Sequence, residues 1–316
     1  MSIHVTVVVP TYNRCRSLER CIEALSASTL DPERFEVIVV DDGGIESVSN
    51  IIDSTDRRLN MNICLLRQSR SGPAVARNHG ARHARGALLA FTDDDCRPQP
   101  TWLPAMLKAH GDNPKAMIGG RTQNGLPGNV FSEASQLLIT YLYQSYRRPD
   151  GTPRLFTSNN LAIPTDAFTT VGCFDERFPK AAGEDREFCE RWYRAGHAMH
   201  FEPGAVVDHH NALSHRRFLR QHFDYGRAAS VFRRLCIEHA NASPPVEPWG
   251  FYLNMLACPW RLTKHPRPAA LSALLFLSQV MNTFGFFYEN LPFVKSLLDA
   301  QATRGERAAL KIRSKL

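Results

Sequence analysis

Three consecutive carboxylates, Asp93-Asp94-Asp95, end the stretch LLAFTDDDCRP, directly after an apolar run. Like charges this close repel, and more strongly once they are partly desolvated. Taken alone, such a cluster at a strand end reads first as acids capping the turn before CRPQP; the other reading is a site for a hard divalent ion, which takes carboxylate oxygens. Two more acid pairs stand out: Asp41-Asp42 closing FEVIVVDDGG, and Glu184-Asp185 following Gly183. Acids at a helix start are favoured by its dipole, and acids at a strand end cap turns, so each pair alone has a purely structural explanation. VDHHN places two imidazoles side by side, His209 and His210, and imidazole is a competent ligand for Mn²⁺. Surface histidines in a loop are the ordinary alternative.

The elements around these acids read as α/β. VTVVVP (5–10), FEVIVVDDGG (35–44) and ALLAFTDDD (87–95) are β-branched or apolar runs of buried strands ending in polar residues. Between them lie helical patterns at 17–29, with Leu18, Cys21, Ile22 and Leu25 on one face, and at 72–86. Strands alternating with helices predict right-handed crossovers and a largely parallel sheet, with ligands beyond the carboxyl ends of the strands. Thr11-Tyr12-Asn13-Arg14, Asp41-Asp42 and Asp93-Asp94-Asp95 then share one rim. In the second half, 126–154 reads as a helix and polar loop, and 156–168 as a strand and turn. Residues 183–201 read as a helix carrying Phe188, Trp192 and Tyr193, and 205–235 as a strand, a His-rich turn and a basic amphipathic helix. The expected division is a domain over 1–240, a proline-rich linker over 241–250 and a helical tail over 251–316.

Composition narrows the classes. Among 316 residues, 43% are hydrophobic and 22% charged, ordinary globular values, and the formal net charge of +7 suggests an anionic partner. The basic residues are spread out without an aromatic-interleaved patch, which argues against nucleic acid. Eight scattered cysteines without a CxxC pair point to reduced, cytosolic thiols. The N-terminal MSIHVTVVVPTYNR has neither a basic start nor a long apolar segment, so no signal peptide is expected. Residues 269–288 carry no charge, but Gln279, Asn282, Ser272, Ser278 and Thr283 interrupt them. A buried or membrane-interfacial helix is expected there rather than a span, suited to the inner face of a cell membrane.

VTVVVPTYNR, VIVVDDGG, GPAVARNHGA, FTDDDCRPQPTWL, GCFDERF and GEDREF, in this order over roughly residues 4–215, resemble the motif series of family 2 glycosyltransferases. The resemblance implies the GT-A fold, a Rossmann-like, largely parallel sheet flanked by helices. It implies inverting sugar transfer from a nucleotide-diphosphate sugar to a glycan or lipid-linked acceptor, in bacterial-type polysaccharide or glycolipid assembly. By that resemblance Asp95 binds Mn²⁺ or Mg²⁺, Asp93 faces the ribose or the metal, and Asp94 is the least defined of the three. His209, with His210 second, is a candidate further ligand. Asp42 would accept a hydrogen bond from the nucleobase. Pro10, Thr11, Tyr12 and Arg14 resemble the first nucleotide-contacting loop, with Tyr12 against the base. Arg77 would reach the diphosphate, or be a surface cation. Asp185 would be the general base and Glu184 would orient the acceptor. Asn159 and Asn160 would line the acceptor side or satisfy a turn. One departure is Cys173, where a second glycine commonly precedes FDERF.

Two other classes compare poorly. A sugar-nucleotide pyrophosphorylase would need an early glycine-rich loop, which PTYNRCRSLER does not supply. A catalytically silent nucleotide-sugar-binding or scaffold protein would be favoured by loss of these acids, yet Asp93, Asp95 and Asp185 are all present.

Overall fold

A computed structural model describes residues 2–45, 48–52, 61–148, 151–178, 182–240, 247–263 and 266–291. Strands β1 (Val5–Thr11) and β2 (Phe35–Asp41) are buried throughout and pair in parallel from Val5 opposite Phe35 to Thr11 opposite Asp41. Alternation along β1 sends Val5, Val7 and Val9 to one side of the sheet and Val8 to the other. Leu18, Ile22, Trp102 and Met106 cover the first side; Ala74, Ala76, Phe188 and Trp192 cover the second. Apolar cover on both faces is why these strands read as continuous runs rather than as alternating ones.

With β3 (Ile63–Arg67), β4 (Leu88–Phe91), β5 (Cys96–Pro98), β6 (Met117–Asn124), β7 (Leu161–Pro164) and β8 (Met199–His209), they form one sheet of order β3-β2-β1-β4-β7-β6-β8-β5. β3, β2, β1 and β4 are mutually parallel, so the residues following β1, β2 and β4 meet on one rim as expected. β7 runs antiparallel to β4 and β6, β6 and β8 are parallel, and β5 returns antiparallel to β8.

Several elements differ from the sequence reading. The third strand ends at Phe91, and Asp93–Asp95 form the turn into β5. The helix expected over 183–201 is Glu184–Arg194; Gly196, at φ 80°, turns the chain, and Met199 already belongs to β8. β3, β5 and β6 have weak local signals. β3 is a part-exposed edge, β5 has three residues, and β6 carries Gly119-Gly120. A Cβ on Gly119 would meet the Phe156 ring at 2.0 Å. Residue 173 has φ 56°, in the left-handed region. This is why a glycine suits the position, and Cys173 holds it at a steric cost of about 1–2 kcal/mol.

The C-terminal helices, Trp249–Ala257, Pro259–Leu262 and Pro268–Asn290, pack onto this body. Met255, Cys258, Leu271 and Leu275 share a buried cluster with Leu137, Leu138, Tyr141, Leu213 and Phe218. Pro268–Asn290 crosses the His215–Ala240 helix through two reciprocal glycines. A Cβ on Gly226 would stand 1.9 Å from the Asn282 carbonyl oxygen, and one on Gly285 1.9 Å from that of Phe223. Arg227 Nε donates to Glu289 Oε2 at 2.8 Å across the same crossing. Of the expected linker, residues 241–246 lie outside the described residues, and Trp249 already opens a helix.

Gly226→Ala forces two backbones apart and should lower stability by about 1–3 kcal/mol in urea unfolding. Gly250→Ala, in a helix with nothing within 4 Å of the new methyl, should leave stability unchanged or slightly raised. Equal effects of the two would refute the close crossing.

Candidate active site

Each of the three aspartates is met by cations from other elements. Arg77, on the Pro73–Arg82 helix, donates to Asp93 Oδ1 at 2.6 Å. Arg14, just after β1, donates to Asp94 Oδ1 at 3.1 Å and Asp95 Oδ2 at 2.9 Å, and Thr11 Oγ1 donates to Asp94 Oδ2 at 2.8 Å. Asp94 is buried while Asp93 and Asp95 are half-buried, so the middle acid turns inward to β1 and its neighbours face the cleft. Burial pushes Asp94 up to about 7 against the pull of Arg14 and Thr11. Burial also acts to raise Asp95, but the hydrogen bond and charge of His209, with Arg14, hold it down at about 2.

β5 and β8 give the two histidines different neighbours. Cys96 pairs with His209, which sets His209 Nε2 3.3 Å from Asp95 Oδ1. His210 instead packs its ring over Gly125, where a Cβ would meet it at 2.5 Å. Asp95, His209 and Cys96 bring their ligand atoms within 4.8 Å of one another. Cys96 is fully buried and its thiol is pushed well up by burial, so it stays a protonated soft group unsuited to a hard cation. A carboxylate oxygen with an imidazole nitrogen fits Mn²⁺, and Asp93 adds oxygen on the same turn.

The expected donor-side residues fall into two groups. Tyr12 and Arg14 are accessible, and the Arg70 guanidinium lies over the Tyr12 ring, 4.5 Å from its centroid. Asn13, at φ 52°, shapes this turn and accepts from Ile45 N at 2.7 Å. Thr11 and Pro10 belong to β1 itself; Pro10 is buried opposite Val40, away from the cleft. Asp42 accepts from Gln68 Nε2 (2.8 Å), Ser71 N (2.8 Å) and Gly72 N (2.9 Å). It therefore fastens the 68–72 loop and keeps one of its roughly four acceptor positions open.

Arg77 is not a surface cation. Its side chain is 2% exposed, and its other amino group donates to Glu184 Oε1 at 2.8 Å. Glu184 is equally buried and is held by Arg77 while lining the same cavity as Asp185. Gly183, at φ 87°, permits the sharp entry into the Glu184–Arg194 helix, and its missing side chain leaves room for Ala228 and Phe178. Asp185, the next residue, accepts from Ser158 N at 3.2 Å and Arg186 N at 2.7 Å. Burial raises its pKa despite these hydrogen bonds. Burial, with the neighbouring Asp185 charge, also raises Glu184 against the opposing charge of Arg77.

Asp93, Asp185, His209 and Asn159 line one cavity of about 520 Å³. Asn160 is fully buried instead, accepting from Trp102 Nε1 at 2.8 Å and donating to the Ala205 carbonyl at 3.1 Å. Sequence reasoning missed the opposite wall, including Gln221 and Tyr225 of the basic helix and Tyr252, Thr283 and Phe286 of the tail. Their only signal was amphipathic periodicity. The cavity can hold a polar molecule between an edge carrying Asp93 and His209 and the Asp185 carboxylate of raised basicity.

Comparison with known proteins agrees with this layout. The model of the family described as Glycosyl transferase family 2 matches residues 6–223. The chain is 32% identical over 221 residues to validoxylamine A glucosyltransferase of Streptomyces hygroscopicus subsp. limoneus, covering 62% of this chain and 49% of that protein. It is 28% identical over 246 residues to the pre-mycofactocin glycosyltransferase of Mycobacterium tuberculosis, covering 77% of this chain and 49% of that protein. The chain thus spans about half the length of these relatives. In three dimensions it is similar to the mannosyltransferase PcManGT of Pyrobaculum calidifontis, solved with GDP-Man and Mn²⁺. The TM-score is 0.62 at 18% identity, over 89% of this chain and 87% of that one. That likeness shows the GT-A fold.

Arg77→Met strands two buried or half-buried carboxylates, which should cost about 3–5 kcal/mol in denaturant unfolding. Glu184→Gln in the same background should recover part of that loss. If the double variant is no more stable than Arg77→Met alone, the Arg77–Glu184 pair is not what holds this region.

Proposed function

The chain belongs to glycosyl transferase family 2, and we propose that it moves a sugar, with inversion, from a nucleotide-diphosphate sugar to an acceptor hydroxyl. The carrying observation is that Asp185, anchored by two backbone N–H groups and raised in basicity, shares one cavity with Asp93 and His209. Asp185 takes the acceptor proton as the new C–O bond forms and the bond to the diphosphate breaks, its electron pair leaving with the phosphate oxygen. Glu184 and Arg77 act as positioning residues: their buried pair ties the helix carrying Asp185 to the turn carrying Asp93.

Asp95 and His209, with Asp93, would hold Mn²⁺ or Mg²⁺, which when bound supplies positive charge against the diphosphate. The GDP-Man and Mn²⁺ in the mannosyltransferase support both the donor class and the ion. Arg14 adds a cation on the same rim, and Tyr12 with the open acceptor position of Asp42 forms the nucleobase end. The acceptor belongs to polysaccharide or glycolipid assembly at the cytoplasmic face of a membrane. Supporting that placement, Pro268–Asn290 is the one helix among the described residues long and apolar enough to span, yet only 22% of its apolar window is buried. Trp249 (85% exposed) and Leu253 add apolar side chains on the neighbouring helix. We take the contact as peripheral, because the helix is anchored in the body by Leu271 and Leu275 and by its close crossing with His215–Ala240 at Gly226, Gly285 and Arg227–Glu289.

Asp185→Asn should lower single-turnover transfer about 10²–10⁴-fold with donor affinity retained. Because an ionised base is needed and its pKa is raised, the wild-type rate should fall as pH drops through a value above the usual carboxylate range. Asp95→Asn should do the reverse, weakening Mn²⁺-dependent donor binding in calorimetry. Normal turnover by Asp185→Asn would place the base elsewhere, and unchanged donor affinity in Asp95→Asn would remove that residue from the metal site.

The membrane contact has its own check. The full chain should co-sediment with phosphatidylcholine vesicles containing phosphatidylglycerol, and less so as salt rises. No sedimentation even at low salt would refute it.

A further inference from the structure

Tyr225 and Asn282 both lie past residue 223, where the match to the family ends, yet both line the catalytic cavity. The glycine crossing brings them there. A Cβ on Gly226 would stand 1.9 Å from the Asn282 carbonyl oxygen, so the chain beside Tyr225 touches the chain at Asn282. The same helix also meets the start of the helix that carries Asp185, because a Cβ on Gly183 would stand 3.0 Å from that of Ala228. Ala228 follows Tyr225 by three positions, which puts both on one helix face. Tyr225 therefore stands near both Asn282 and the helix start that presents Asp185.

These two side chains differ from most of the polar lining in being unengaged. Gln221 donates to Ser135 Oγ at 2.7 Å and accepts from Asn211 Nδ2 at 2.9 Å. Gln136 donates to the Thr122 carbonyl at 2.9 Å, and Asn124 to Glu133 Oε2 at 2.7 Å. The Tyr225 hydroxyl and the Asn282 side-chain amide have no hydrogen-bond partner among the described residues. Both residues are half-buried, so what they can bond is a molecule in the cavity. Burial, then the charges of Asp185 and Glu184, push the Tyr225 phenol's pKa up, which keeps it a neutral O–H donor. A phenol and an amide together offer both donors and acceptors without net charge. That matches sugar hydroxyls, each of which donates and accepts. A diphosphate calls for cations instead, and an apolar group would leave both polar groups stranded.

We propose that Tyr225 and Asn282 form a subsite that binds the ring hydroxyls of a sugar beside Asp185. The assignment rests on the sugar-transfer reading above and adds residues that recognise the sugar. The ring is either the one being transferred or one on the acceptor, and both present the same chemistry. The close helix crossing then has a functional reason, since side chains at 226 or 285 would move Asn282 away from Tyr225.

The test uses the full chain with Mn²⁺ and the variants Tyr225→Phe and Asn282→Ala. Neither lost group has a partner in the protein, so the unfolding midpoint without ligand should match wild type. In the donor arm, calorimetry compares UDP-glucose, UDP-N-acetylglucosamine and GDP-mannose with UDP and GDP. In the acceptor arm, methyl glucoside, methyl galactoside and methyl mannoside are assayed for KM and kcat with the donor that binds. Each lost hydrogen bond should weaken sugar binding about three- to tenfold. A loss for the nucleotide sugar, with the bare diphosphate unchanged, supports the subsite and assigns it to the donor. A raised acceptor KM, with kcat and donor affinity unchanged, supports it and assigns it to the acceptor. Wild-type behaviour of both variants in both arms would overturn the proposal. So would an equal loss for UDP or GDP alone, or a lowered unfolding midpoint in Tyr225→Phe, which marks a structural role. If a nucleotide sugar binds and the variants match wild type, only the subsite falls; if no nucleotide or nucleotide sugar binds wild type, the sugar-transfer reading falls with it.

Discussion

The constraint on which the rest depends is charge balance around Asp93, Asp94 and Asp95. Three carboxylates on successive residues cannot all ionise in a partly desolvated turn without nearby positive charge. Arg14 comes from the turn after β1, Arg77 from the Pro73–Arg82 helix, and His209 from the end of β8. Each compensating group thus fixes one surrounding element to the turn. Removing one partner of a buried ion pair is far more costly than the pair's net worth, so these contacts act mainly as specifications of geometry. A cation bound at Asp95 would relieve repulsion that protein groups otherwise balance alone.

Arg77 extends this arrangement to the other side of the cleft. One guanidinium reaches both Asp93 and Glu184, so the aspartate turn and the helix carrying Asp185 are placed by a single side chain. Gly183 makes the junction feasible, since its positive φ turns the chain directly into the helix. Asp185 is then left half-buried, its oxygens held by the backbone N–H groups of Ser158 and Arg186. An acid in that setting stays basic enough to accept a proton yet remains oriented.

The tail has two roles that share one helix. Its inner stripe completes the core and one wall of the cavity, held by the reciprocal Gly226 and Gly285 crossing and the Arg227–Glu289 bond. Its outer stripe stays apolar because nothing among the described residues covers it. Uniform hydropathy along residues 269–288 therefore conceals three environments around the helix axis, which explains why sequence alone left span, interface and core as competing readings.

The sequence by itself determined the parallel half of the sheet and the rim of polar strand ends. Buried β-branched runs, helical periodicity and the acids that end each strand are all local signals. The motif series also made the family legible, since six short patterns in order are far more specific than any one of them. What local patterns cannot carry is which residues meet across the sheet. The placement of His209 beside Asp95, with His210 turned to Gly125, came from the register of β5 against β8, set by pairings more than a hundred residues apart. Glu184 is held by Arg77, and the second wall of the cavity follows from a helix crossing that depends on two glycines. These are contacts of long sequence separation, and only the packed tertiary structure decided them.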